Sequence, residues 1–141
     1  MKNRRVAALA VLSVAGVVFS GCLSGVKFFS ETCAFNESCP YFFGYPACYF
    51  GFALFLSMAI MLIAYRFSVV GLAGALRALV AVSGVGVLFA GYFTLLETPV
   101  LFKEGIYAYV LGLPTCAYGL LVFAAIFVIA LLALRSAPAA E

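Results

Sequence analysis

No histidine occurs among the 141 residues, which removes histidine general bases, haem ligation by histidine and histidine-containing zinc sites. No two cysteines stand in a Cys-x-x-Cys spacing, so a zinc knuckle and a thioredoxin-type dithiol are missing as well. No glycine-rich phosphate loop precedes a helical stretch, and no acid or base falls at the middle of an apolar run. Those absences count against nucleotide and nucleic-acid binding and against an ion-coupled relay. Charge is scarce too: 9% of residues are charged against 67% hydrophobic, with a mean hydropathy of +1.24. That is too little polar surface to clothe a soluble globule, and the chain is expected to be an integral membrane protein.

Four apolar stretches are present, roughly Val6–Val26, Cys48–Tyr65, Val69–Phe93 and Leu113–Leu134. Each is about the 20 residues that a helix needs to cross ~30 Å of hydrocarbon. They are continuous runs rather than ten-residue alternating segments, so helices are the expected spanning form. The fold class is all-α, a polytopic four-helix membrane bundle in a single domain over residues 1–141. Lys2, Arg4 and Arg5 precede the first stretch, Arg66 and Arg77 flank the second turn and Arg135 follows the fourth. By the excess of basic residues on the cytoplasmic side, the protein is expected in the cell membrane with both termini in the cytoplasm. The outer segments are then about Lys27–Ala47 and Glu97–Gly112, which hold Glu31, Glu37, Glu97 and Glu104.

The chain also repeats itself. "GVVFSG" at Gly16–Gly21 returns as "GVLFAG" at Gly86–Gly91, 70 positions on; "ET" at Glu31–Thr32 returns at Glu97–Thr98, 66 on; "GYPACYFG" at Gly44–Gly51 returns as "GLPTCAYG" at Gly112–Gly119, 68 on. Two halves, about 6–65 and 69–134, are each expected to form a hairpin of spans, with a pseudo-twofold axis along the membrane normal. A competing reading takes "KNRR", the following apolar run and "FSGC" as a cleaved leader ending at Cys22. Phe19 is a poor residue three places before a lipidated cysteine, and cleavage would remove the partner of the second "GVLFAG".

The repeat singles out two of the five cysteines. Pro46 and Pro114 are expected in the first turn of a helix, which puts Cys48 and Cys116 at outward-facing helix N-termini. Unpaired N–H groups and the helix dipole favour an anionic sulfur there. The two cysteines are equivalent in the repeat and could meet near the axis as one disulfide or a redox pair. Cys33 and Cys39 lie close together in the first outer segment, and Cys22 ends the first span. All five fall on the outer side or its boundary, where disulfides are the ordinary expectation. The aromatics of "CPYFFGYPACYF" and "IYAYV" fit an interfacial belt, and also a shelter for a flat ring beside the sulfurs.

"GYFTLLET" at Gly91–Thr98, closing a span, and "GYPACYFGFALF" at Gly44–Phe55, opening one, resemble the vitamin K epoxide reductase family and its DsbB-like relatives. The resemblance implies a membrane thiol oxidoreductase, a helical bundle around a quinone that draws electrons from a thioredoxin-like extracytoplasmic partner. Cys33 and Cys39 would take the place of the outer-loop pair and Cys116 that of the cysteine nearest the quinone. Tyr45, Phe50 and Tyr118 would line the cofactor. The sequence departs from the family at its Cys-x-x-Cys, since Leu113 and Tyr45 stand where the first cysteine would be. Cys48 and Cys116 together would have to supply the pair. Two other functions compete: a disulfide-stapled, non-catalytic subunit of a larger membrane complex, and a module that binds membrane lipid or quinone without redox chemistry.

Overall fold

The computed structural model describes residues 2–31, 41–105, 107 and 112–137. Four helices make up almost all of it: α1 Lys2–Ser30, α2 Ala47–Arg66, α3 Leu72–Glu104 and α4 Thr115–Ser136. All four are long and apolar enough to span a membrane. The chain is an all-α, multi-pass membrane bundle. Only 17–28% of each helix's most apolar window is buried inside the protein, because outward residues such as Val11, Ile60, Leu88 and Leu121 stay exposed to lipid.

The α2–α3 connection follows from local geometry. The Ser68 N–H bonds the Tyr65 carbonyl at 3.0 Å and the Val69 N–H bonds that of Ala64 at 2.9 Å, with Ser68 at φ 60. This Schellman closure satisfies the last carbonyls of α2 and turns the chain back within five residues. A short hairpin precedes α2, with β1 (Tyr41–Phe42) pairing antiparallel to β2 (Tyr45–Pro46). Its turn residues Phe43 and Gly44 have φ 50 and 83, the pair of positive angles that lets a two-residue turn match strand twist.

The long helices exceed the expected spans. α1 continues to Ser30 and α3 runs through Pro99 to Glu104, although Glu97 was expected to begin an outer segment. Pro99 costs one amide donor, yet its fixed φ is compatible with a helix. Thr94 and Thr98 hold the same turns by donating to the Ala90 and Thr94 carbonyls at 2.7 and 2.8 Å. At 1.5 Å per residue, α3 with its 33 residues is about 50 Å long, whereas α2 with 20 is about 30 Å. α1 and α3 therefore overhang α2 and α4 at one end of the bundle.

Burial recurs at fixed intervals. In α1 the buried positions Leu9, Ser13, Gly16 and Ser20 are matched in α3 by Leu79, Ser83, Gly86 and Ala90. Each is 70 positions from its counterpart. In α2, Phe55, Met58 and Leu62 are matched 68 positions later in α4 by Phe123, Ile126 and Ala130. Helices adjacent in sequence pack side by side, and α1 closes the ring against α4. The two diagonal helices meet through Phe55 and Phe123, whose rings stack with centroids 4.1 Å apart and planes within 8°.

Glycines make that stack possible. A Cβ at Gly16 would fall inside the Phe55 ring, and one at Gly86 inside the Phe123 ring. Gly21 against Phe52 and Gly91 against Leu120 repeat the arrangement one turn on, with less crowding. In lipid, where apolar transfer between helices gains nothing, close packing against small residues is what brings helices together. Gly16→Ala and Gly86→Ala are each expected to destabilise the protein by about 1–3 kcal/mol, as overpacked cores do. Gly25→Ala and Gly51→Ala, which meet nothing within 4 Å, should be neutral or gain up to about 1 kcal/mol of helix propensity. Thermal unfolding in detergent measures the contrast, and equal behaviour of the two pairs would contradict it.

Candidate functional site

The overhanging end of the bundle gathers the described cysteines. Cys48 and Cys116 are each the second residue of their helix, and each helix is preceded by a proline N-cap. Pro46 has φ −58, ψ 138 and Pro114 has φ −54, ψ 142, so the two starts are conformationally the same. The prolines therefore sit one place before the first turn, not within it. Neither start has a side-chain cap.

Register ties the cysteines to the core. Seven residues make almost two turns of helix, so Cys48 shares the Phe55 and Leu62 stripe of α2, and Cys116 the Phe123 and Ala130 stripe of α4. Both thiols stand about 10 Å beyond the ring stack along stripes that face the bundle axis. Each is half-buried, and no disulfide joins Cys22, Cys48 or Cys116. Cys22 is exposed within α1, two turns short of the helix end, instead of closing the span. Cys33 and Cys39 lie outside the described residues.

The two halves differ in charge at this end of the bundle. On the first side, Ser24 of α1 donates its hydroxyl to the Cys48 carbonyl at 3.2 Å. One turn further, the Lys27 ammonium donates to the Glu31 carbonyl at 2.9 Å and sits 5.5 Å from the centre of the Tyr41 ring. In α3 the positions 70 residues on are Thr94 and Glu97. The hydroxyl is kept and the cation is replaced by a carboxylate.

Aromatic residues secure the hairpin over this end. The Phe42 ring meets Phe50, Phe89 and Phe93 edge-on at 5.2, 5.4 and 6.2 Å. Phe89 and Phe93 are themselves 4.9 Å apart, and Phe93 is buried. Edge-to-face pairs of this kind contribute beyond their buried area. Of the three residues expected to line a cofactor, Phe50 is part of this packed cluster, Tyr45 is exposed on β2, and Tyr118 is half-buried two residues beyond Cys116. Phe89 and Phe93 were missed by sequence reasoning, and Phe42 was read only as one ring among those of "CPYFFGYPACYF". The available signal was Phe42 beside the Phe43–Gly44 turn, which fixes which hairpin ring faces inward.

No three histidine, cysteine, aspartate or glutamate side chains come together among the described residues. No family model, no curated protein and no solved structure matches the chain. The site's chemistry therefore rests on its own residues. Because Phe42 holds the hairpin that leads into α2, Phe42→Ala is expected to raise the rate of Cys48 alkylation by N-ethylmaleimide several-fold. Phe43→Ala, at a ring 84% exposed, should leave that rate unchanged. Mass-spectrometric alkylation kinetics on the Cys22→Ser background measure both rates, and equal effects of the two substitutions would contradict the role given to Phe42.

Proposed function

We propose that the protein is a membrane thiol:quinone oxidoreductase that supports disulfide formation in extracytoplasmic proteins. The observation that carries this reading is the equivalent placement of Cys48 and Cys116, at matched helix starts and on axis-facing stripes of the two diagonal helices. Closing a disulfide between them releases two electrons and two protons, and an incoming dithiol restores them by thiol–disulfide exchange. A disulfide requires Cα atoms within about 7 Å, so the two helix starts must approach that closely in the oxidised protein.

The donor set suits a quinone at this mouth. Two thiols supply the reducing equivalents, and the exposed Tyr45 and half-buried Tyr118 offer phenolic donors to carbonyl oxygens. Phe50 takes no such part in the proposal, since its ring is engaged by Phe42 and Phe89. A bound quinone supplies the two-electron, two-proton acceptor. The proposal assigns Cys33 and Cys39 to relaying oxidising equivalents to a thioredoxin-like partner, with the arginine-rich end of the bundle in the cytoplasm.

A second reading, a subunit of a larger membrane complex, is favoured by one feature. Leu95, Leu96 and Phe102 are exposed on the overhanging part of α3, an apolar surface of the kind that partners cover. Single-turnover oxidation separates the two readings. Pre-reduced protein in nanodiscs should reduce one equivalent of a short-chain quinone to quinol. Cys48→Ser and Cys116→Ser should each lower the rate at least about 100-fold, as loss of either member of a coupled pair does, and Cys22→Ser should not. No quinol from the parent protein would leave the subunit reading.

A further inference from the structure

The opposite end of the bundle contains a cavity of about 220 Å³ where the start of α1, the start of α3 and the end of α4 converge. Val6, Leu72, Leu76 and Ala133 form an apolar wall, and Arg5 and Ser136 supply the polar atoms. Arg5 is fixed in place. Its Nη1 donates to the Leu132 carbonyl at 3.0 Å and to the Ser136 hydroxyl, so a cation covers the carbonyl end of α4, where the helix dipole favours it. The Nε and Nη2 groups have no partner among the described residues, and that edge of a guanidinium is the one that grips phosphate with two parallel hydrogen bonds.

Among the described residues, charge around the cavity has one sign. Arg4, Arg66, Arg77 and Arg135 lie at the same end as Arg5, near the starts of α1 and α3 or the ends of α2 and α4. Among the described residues, all carboxylates lie at the other end, on Glu31, Glu97 and Glu104. The cavity is therefore amphipathic: a held cation whose Nε–Nη2 edge meets no partner among the described residues, set in apolar walls near the ends of three candidate spanning helices.

We infer that this cavity is a binding site for an anionic glycerophospholipid, with the phosphate on Arg5 and the adjoining glycerol and first methylenes against Val6, Leu72, Leu76 and Ala133. The apolar wall decides between sources of phosphate. A soluble anion would gain nothing from four hydrocarbon side chains, whereas a lipid buries carbon on them while its head meets the arginine. The inference does not depend on the redox reading, because no cysteine takes part.

Native mass spectrometry of the detergent-purified full chain, titrated with phosphatidylglycerol or with phosphatidylcholine of the same acyl chains, tests the site. Phosphatidylcholine presents the same phosphate with its charge offset by the choline ammonium, so the net charge of the lipid sets the preference, and the parent should retain phosphatidylglycerol about fivefold better. Arg5→Gln should abolish that preference. Ala133→Phe, which fills the cavity and leaves every charge in place, should abolish it too, while Arg77→Gln at an exposed position should change it less than about twofold. Equal retention of both lipids by the parent would overturn the inference. So would an undiminished preference in Ala133→Phe, which would assign selectivity to the basic end as a whole. Displacement of the lipid by millimolar inorganic phosphate would show a site for free phosphate instead.

Discussion

Two phenyl rings stacked across the bundle axis set the distance between everything else. Phe55 and Phe123 lie 4.1 Å apart, and each ring also occupies the space that a Cβ would take at Gly16 or Gly86. One ring thus fixes the spacing within its own hairpin, and the pair fixes the spacing between hairpins. With lipid on the outside, no solvent-driven collapse would hold four apolar helices in this arrangement. Glycine opposite phenylalanine, used twice, supplies the close fit. The same intervals carry Leu9 to Leu79, Ser13 to Ser83 and Met58 to Ile126 in the buried interior.

The two ends of the bundle take different chemistry from that common core. At the overhanging end, Cys48 and Cys116 continue the ring-bearing stripes of α2 and α4, beneath a hairpin that Phe42 fastens to α3. Lys27 on one side and Glu97 on the other break the equivalence of the halves where charge is concerned. At the other end, three helix termini meet around Arg5, and the Leu132 carbonyl and Ser136 hydroxyl of α4 fix its guanidinium in position. A duplicated scaffold therefore leaves room for divergence at its ends, where substitutions disturb neither the rings nor the glycines.

Four spans were readable from apolar runs of about 20 residues, because length and hydropathy are the main constraints a bilayer imposes. The glycine-rich repeat was readable as well, since close packing demands small residues at the same register in both halves. Helix ends were not. α3 continues past Glu97 and through Pro99, whose fixed φ a helix accommodates at the loss of one amide donor, and a hydropathy reading does not contain that continuation. Phe50 was read as a cofactor-binding ring, and its edge-on contact with Phe42, eight places earlier, depends on a turn set by two positive φ angles that a composition reading does not contain. Arg5 was read only as a topological charge, and its bond to α4 connects residues 127 positions apart.

The central claim is that duplication set two cysteines on facing stripes so that they act as one redox pair. The most direct test is residue-resolved thiol trapping of the membrane-embedded protein before and after exposure to oxidised quinone. The account predicts that Cys48 and Cys116 lose reactivity together, yield a single cross-linked peptide pair, and return to thiols when a dithiol is added. If both stay open to alkylation after quinone, or each pairs with a different cysteine, the claim is contradicted.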